Sequence, residues 1–315
     1  MSSRFDGKKK KRKWGKILLI STLVLLLGAG AYVFSVYNSL NKAVDTMHQK
    51  IDRKSDKRNT ELSLKDTDPF SVLLLGVDQR ANDRGRSDSI IVMTVNPHKN
   101  SVKMLSIPRD TRTEIIGRGT QDKINHAYAF GGVEMSMDTV ENFLDIPIDY
   151  FVQVNMEGFK DIVDAVGGVT VQNKKAFASQ GVQFSSGQVT LDGKEALAYT
   201  RMRKQDPRGD FGRQERQRQI IQGIIREGAS LKSLTNYGDI FSALGNNLRT
   251  NMTFDEMVTV QSKYKAAGKN IEQIELKGNG AMIGSEGKKV YYYQVPDEEK
   301  ARVQTLLKEH LTDGQ

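Results

Sequence analysis

The sequence predicts a layered α/β fold with a mixed central sheet, preceded by one N-terminal transmembrane helix. Three observations carry this. Short apolar runs of strand length alternate with stretches of helical periodicity over most of the chain. The 21 residues from Ile17 to Tyr37 hold no charged side chain, enough to cross the hydrocarbon layer as a helix. Cysteine is absent, so the part beyond that span must be held by its core and not by disulfides.

The chain divides by composition. Residues 1–16 form a basic tail in which eight Lys and Arg stand against Asp6 alone, +7 of the formal +9, leaving +2 for residues 17–315. The high isoelectric point is therefore a property of the tail, not evidence for a nucleic-acid-binding body, and no nucleic-acid partner is expected. Residues 17–37 read as an uncleaved signal anchor. The tail is expected in the cytoplasm, and everything after Tyr37 outside a cell membrane crossed once. The rival is a cleavable signal peptide, because Ala29-Gly30-Ala31 has a small-residue pattern, but Ala31-Tyr32-Val33-Phe34 carries the apolar run past it. Residues 38–68 are polar and charged and read as a stalk, and residues 69–315 as one large domain. Within that domain the motif-bearing core spans 70–228, followed by an extension over 229–315.

The domain opens with strands at Ser71–Val77, Ser89–Val95 and Ser101–Ile107, joined in part by the turn residues Asn96-Pro97-His98-Lys99-Asn100. An antiparallel meander of these three gathers at one edge the charged residues Asp78, Arg86, Asp88, Arg109 and Asp110, in loops of the kind that carry sites. A helix over Val133–Leu144, a strand at Tyr150–Val154 and an amphipathic helix over Gly158–Val166 closed by Gly167-Gly168 follow. Then come a strand at Val169–Val171 and a helix at Gly193–Arg201. From Phe211 another helix is signalled by Ile220, Ile221, Ile224 and Ile225, with Asp210 as its N-cap. Weaker signals give helices near Thr253–Ala267 and Asp297–Leu311, and strands near Ile271–Leu276 and Val290–Gln294.

Arg213 and Gln217 are four apart and share one face of the helix start, whose own dipole is positive there. Adding guanidinium groups to such a face makes sense if an anion lies against it, and planar forks suit phosphate. Asp78 and Asp88 flank one loop and can hold a hard, oxygen-seeking ion such as Mg²⁺, although aspartates in a glycine-bearing loop also serve as turn residues. Carboxylates, a divalent ion and several guanidinium groups form the usual machinery of phosphoryl transfer. Other chemistries lack their motifs. There is no G-x-x-x-x-G-K-[ST], no H-E-x-x-H, no G-x-S-x-G elbow and no thiol, and His48, His98, His126 and His310 show no zinc spacing.

Five motifs occur in order: Leu75-Gly76-Val77-Asp78, Gly85-Arg86-Ser87-Asp88-Ser89, Ser106-Ile107-Pro108-Arg109-Asp110-Thr111, Lys123-Ile124-Asn125-His126-Ala127-Tyr128, and Ala196 through Arg203. With the following Asp210–Gln217 stretch, the segment from Phe70 to Gln219 resembles the LytR-CpsA-Psr family. The resemblance implies a three-layer α/β/α sandwich with an apolar channel for a lipid tail. It implies an extracytoplasmic phosphotransferase that moves an anionic glycopolymer, such as wall teichoic acid, from undecaprenyl pyrophosphate to a muramic-acid 6-hydroxyl of peptidoglycan. By motif, Asp78 and Asp88 correspond to Mg²⁺ ligands. Arg86, Arg109, Lys123, Arg201, Arg203, Arg213 and Gln217 correspond to the pyrophosphate-binding set. Arg109 is expected to act on the reacting phosphate, and Asp110 and Asp210 are candidates for taking the hydroxyl proton. The competing readings are a membrane-anchored pyrophosphate-lipid sensor without turnover and a transcriptional regulator. A 16-residue tail is too short for a helix-turn-helix, which weighs against the second.

Overall fold

The computed structural model describes residues 22, 34–35, 37–39, 41–42, 44–58, 60–78, 85–203, 205–230, 244–285 and 287–312. The expected basic tail and nearly all of the expected membrane span lie outside them. Among the described residues no helix is long and apolar enough to cross a membrane.

Three strands set the frame: β1 (Phe70–Val77), β2 (Ser87–Asn96) and β3 (Ser101–Ile107). They form the expected antiparallel meander, with Leu73 opposite Val92 and Ile90 opposite Ile107. The hairpin β4 (Arg112–Ile115) and β5 (Thr120–Lys123) leads into α1 (His126–Leu144). Then come β6 (Tyr150–Val154), α2 (Met156–Ala165), β7 (Val169–Asn173), the short pair β8 (Phe177–Ser179) and β9 (Val182–Phe184), and β10 (Gly187–Leu191). The chain continues through α3 (Gly193–Arg201), α4 (Asp210–Ser230), β11 (Leu248–Thr250), α5 (Phe254–Lys263) and β12 (Ile271–Ile274). The hairpin β13 (Asn279–Ile283) and β14 (Val290–Gln294) precedes the last helix, α6 (Asp297–Thr312).

The central sheet has six strands in the order β11-β6-β1-β2-β3-β12. It is mixed, because β6 runs parallel to β1 and β12 parallel to β3 while β11 runs antiparallel to β6. Alternation along the strands supplies two apolar faces. Leu73, Leu75, Val77, Ile90, Val92, Leu105 and Ile107 pack against Met137, Val140 and Phe143 of α1 and Val303 and Leu307 of α6. Phe70, Val72, Val95 and Val102 face the other way, toward Tyr264, with Val260 of α5 packed alongside. Helices on both faces make the three layers. A third cluster joins β7 and β10 to α3 and α4, centred on Tyr199, Phe177 and Phe184.

Three expectations change. The helix expected from Val133 begins at His126 and is kinked at Gly132, whose φ of 68° is open to glycine without a Cβ penalty. Asp210 is not an N-cap but the first residue of α4, and its carboxylate turns to Arg213 and Gln214. The stalk expected over 38–68 packs on the domain over its described part. Val44 and Met47 are buried with Leu244 and Phe254, Arg53 pairs with Asp138, and Arg58 makes a two-pronged bond to Asp149 at 2.8 and 2.5 Å.

Two buried ion pairs of the fold have measurable consequences. The Asp149 side chain is 6% exposed and also accepts from the Ser71 backbone N–H at 2.8 Å. Asp149→Ala strands the Arg58 charge and is expected to cost about 3–5 kcal/mol by equilibrium urea unfolding. Asp206 sits against Arg216 at 2.8 Å, the two side chains 6% and 8% exposed. Burial opposes ionisation of Asp206, but hydrogen bonds from Arg216 and from the Arg208 backbone and side chain prevail and hold its carboxyl down at about 2. A depressed carboxyl contributes stability above its unfolded value and loses it as pH falls through the folded one. Asp206→Asn is therefore expected to be less stable than the wild type at pH 7, by about 1–2 kcal/mol after solvent screening. The gap should close between pH 4 and 2 in urea titrations.

Candidate functional site

The ends of β1 and β3 and the start of β2 lie at one edge of the sheet, because adjacent antiparallel strands reverse direction. Val77 pairs with Ser87, and Ile90 with Ile107. Asp78, Gly85, Arg86, Asp88, Arg109 and Asp110 therefore line one cleft, with Lys123, Asn125 and His126 completing it, and its volume is about 380 Å³. The loop after β3 is fixed by backbone bonds. Asn125 N–H donates to Arg109 O at 3.3 Å, Ile124 N–H to Thr111 O at 2.8 Å, and Tyr293 N–H to Asp110 O at 2.8 Å.

Opposite charges interleave. Arg109 Nη1 donates to Asp88 Oδ1 at 2.9 Å and its Nε lies 3.7 Å from Asp110 Oδ2. Lys123 Nζ donates to Asp110 Oδ1 at 2.6 Å. Arg213 pairs with Asp210 at 2.8 Å, and the Ser89 hydroxyl donates to Gln217 Oε1 at 3.2 Å, so the first turns of α4 reach the same sheet edge. Burial works against the Arg109 charge, but Asp88, Asp110 and Asp210 outweigh it and raise its pKa above the ordinary guanidinium value. Arg213 goes the other way. Burial lowers its pKa and repulsion from Arg109 and Arg203 adds to that, against the pull of Asp210 and Asp88.

Polar atoms are left over in and beside the cleft. Asn125 Oδ1 within it, and Arg213 Nε, Asp210 Oδ1 and Ser87 Oγ beside it, are buried with no hydrogen-bond partner among the described residues. A buried donor without an acceptor costs about 1–3 kcal/mol, and a buried guanidinium more. An anion with several oxygens removes that cost for Arg213, so the arrangement suits a phosphate or pyrophosphate.

Of the residues predicted from sequence, Asp78, Arg86, Asp88, Arg109, Asp110 and Lys123 share the cleft, and Asp210, Arg213 and Gln217 adjoin it. Arg203 is exposed, with its field reaching Arg213. Arg201 is exposed at the end of α3 and is not one of the residues lining the cleft. Asp110 and Asp210 are each engaged by a cation, Asp110 by Lys123 and Asp210 by Arg213. As for metal, no group of three or more His, Cys, Asp or Glu is placed to hold an ion among the described residues. Mg²⁺ does not require one, since it keeps several waters and takes one or two carboxylates with substrate phosphate. Asp78 and Asp88, lining the phosphate-suited cleft, fit that donor set.

Sequence reasoning passed over Asp122 and Tyr292. His126 Nδ1 lies 2.8 Å from Asp122 Oδ2, and the Tyr292 hydroxyl donates to Asp122 Oδ1 at 3.3 Å. The four-residue spacing of Asp122 and His126 was the available signal; the approach of Tyr292 has none.

A second cleft, of about 390 Å³ and almost wholly apolar, opens on the other sheet face between β1, β2, β6 and the helices α4 and α5. Val72, Leu74, Met93, Val152, Ile225 and Val260 line it.

The chain's similarities follow the same lines. Over 307 residues it is 54% identical to the polyisoprenyl-teichoic acid–peptidoglycan teichoic acid transferase TagU of Bacillus subtilis strain 168, covering 97% of this chain and 99% of the relative. The crystal structure of B. subtilis TagU superposes with a TM-score of 0.64 at 55% identity, covering 79% of this chain and 99% of that one. A structure of TagT bound to LI-WTA superposes with a TM-score of 0.70 at 35% identity, covering 84% and 99%. Residues 33–309 match the model of the LytR_cpsA_psr family, and with the charged cleft built from that family's motifs, this chain belongs to it.

Proposed function

We propose that this protein transfers a teichoic-acid-type anionic glycopolymer from a polyprenyl pyrophosphate carrier to a hydroxyl of peptidoglycan, with release of the polyprenyl phosphate. The observation that carries the reading is the convergence of Arg109, Lys123 and Arg213 at one sheet edge, with Arg213 Nε buried and unpartnered among the described residues. Such a site answers a pyrophosphate. The relatives named as transferases of teichoic acid to peptidoglycan share nearly the whole chain, which supports the acceptor and donor classes.

The acceptor oxygen, in this reading the 6-hydroxyl of muramic acid, attacks the phosphorus next to the sugar. The bond from that phosphorus to the bridging oxygen breaks, and undecaprenyl phosphate leaves. Arg109 and Arg213 hold the non-bridging oxygens and meet the charge that grows on the leaving phosphate. Lys123, fixed by Asp110, adds a further positive charge from the floor of the cleft. Asp78 and Asp88 would hold Mg²⁺, which when bound neutralises pyrophosphate charge.

The lipid tail has its own place. Arg213 and Ile225 stand on one helix, ~18 Å apart at the α-helical rise, so α4 leads from the charged cleft to the apolar one. An almost wholly apolar cleft is where a prenyl chain would be buried, at about 25 cal/mol per Å² removed from water. The N-terminal span expected from the sequence would hold the domain at the outer membrane surface, where a lipid carrier resides.

Two outcomes test the assignments. Arg109→Ala is expected to lower kcat for transfer from synthetic lipid-linked disaccharide to peptidoglycan oligomers by about 10²–10³-fold. Normal turnover by that variant, or wild-type protein that binds the lipid substrate without ever releasing lipid phosphate, would remove the proposal. Ile225→Trp fills the apolar cleft, so KM should rise several-fold for an undecaprenyl donor and stay close to wild type for a donor with a short prenyl tail. Equal KM changes for both donors would place the tail elsewhere.

A further inference from the structure

The transfer proposed above needs a group to take the acceptor's proton, and the carboxylates named for it are otherwise engaged. Asp110 is held by Lys123 and Arg109, and Asp210 by Arg213 and the Gln214 amide. Asp88 accepts from Arg109. Each of these carboxylates is set against a cation, and taking up a proton would remove the charge that holds that pair together.

One side chain in the cleft is built differently. His126 opens α1 and lines the cleft beside Arg109, Asp110 and Lys123, with its side chain 24% exposed and so open to a ligand. Its Nδ1 lies 2.8 Å from Asp122 Oδ2. Burial resists ionisation of Asp122, but hydrogen bonds from His126, from the Lys123 backbone N–H at 2.8 Å and from Tyr292 keep its pKa below the ordinary carboxylate value. An ionised carboxylate can only accept, so Nδ1 donates to it, and in the neutral form of the ring Nε2 carries a lone pair that this contact does not use. Phe130 meets the ring edge-on at 5.9 Å and carries Arg118 on its face at 4.0 Å, which restricts how the imidazole can turn. Arg86, Arg109 and Lys123 are the cations that share the cleft with the ring, and Asp78, Asp88 and Asp110 the acids.

The geometry points to His126 as the general base of the transfer reaction, with Asp122 and Tyr292 as the residues that orient it. In that step a lone pair of the acceptor oxygen forms the bond to the sugar-side phosphorus. The bond from that phosphorus to the bridging oxygen breaks, and undecaprenyl phosphate departs with its electron pair. The hydroxyl proton passes to His126 Nε2, and Asp122 stabilises the imidazolium until the proton goes to water. Tyr292 gives the C-terminal hairpin a part in this. β14 brings its hydroxyl to the second oxygen of Asp122, and Lys123 Nζ lies 5.9 Å from the centre of its ring.

The inference rests on the transfer reading, and the test separates the two. Full-length protein in detergent micelles is assayed with synthetic undecaprenyl pyrophosphate disaccharide and peptidoglycan oligomers across pH, as wild type, His126→Gln and Asp122→Asn. His126→Gln should lower kcat by about 10²–10⁴-fold, with KM for the lipid donor within about twofold of wild type. Its log kcat should rise with unit slope in pH, as hydroxide replaces the missing base, where the wild type reaches a plateau. Asp122→Asn should lower kcat at unchanged KM with the His126-dependent plateau retained, and it serves equally should His126→Gln fail to fold. A His126→Gln kcat within about threefold of wild type overturns the assignment, as does a lowered kcat with a wild-type pH profile. For Asp122→Asn, wild-type kcat overturns it. A wild type that transfers nothing instead defeats the reaction itself.

Discussion

Like charge brought together is the constraint on which this structure depends. At an effective dielectric of ~20, two unit charges ~6 Å apart repel by about 3 kcal/mol. The chain answers with acids interleaved among the cations: Asp88 on Arg109, Asp110 on Lys123, Asp210 on Arg213. The compensation is incomplete at Arg213, whose guanidinium is buried, pushed below its ordinary pKa and left with an unpartnered Nε among the described residues. On the reading proposed above, a pyrophosphate would complete it. The free protein thus holds its donors in place at the expense of some stability, and the ligand meets groups that need no reorganisation.

Helix α4 makes one object of two chemistries. Its first turns carry Asp210, Arg213 and Gln217 and its far end reaches the apolar cleft through Ile225 and Gly228. The helix start is pinned from outside by Asp206, which pairs with Arg216 and Arg208. This explains Gly212. A Cβ there would stand 1.8 Å from Asp206 Oδ2, so any larger residue displaces either the carboxylate or the helix. On the reading proposed above, an amphiphile with an anionic head and a long hydrocarbon tail would meet the same helix at both ends.

The sequence was most legible where physics is local. Strand alternation in Ser71–Val77, Ser89–Val95 and Ser101–Ile107, with the polar turn at Asn96–Asn100, was enough to place Asp78, Asp88 and Arg109 at one edge, because a meander leaves no other choice. It was less legible where tertiary contacts decide. The segment ending at Arg58 reads as a polar stalk, since the partners that hold it, Asp138 and Asp149, lie some eighty to ninety residues away. Asp210 reads as a cap because its position suits one, but the nearby guanidinium of Arg213 competes for its carboxylate. The hairpins β4–β5 and β8–β9 are too short to show a period.

The density of charge also limits what kind of base the cleft can contain. A carboxylate there is drawn into neutralising a cation, and freeing it for proton transfer would restore the repulsion it was placed to relieve. An imidazole escapes this conflict. In its neutral form it adds nothing to the positive charge that substrate binding must balance. Protonated during reaction, it becomes a cation at the moment negative charge develops on the departing phosphate, with Asp122 2.8 Å behind it. Placing the histidine on a separate hydrogen-bonded chain, through Asp122 to Tyr292 and apart from the guanidinium pairs, lets the cleft bind an anion tightly while keeping one basic nitrogen available.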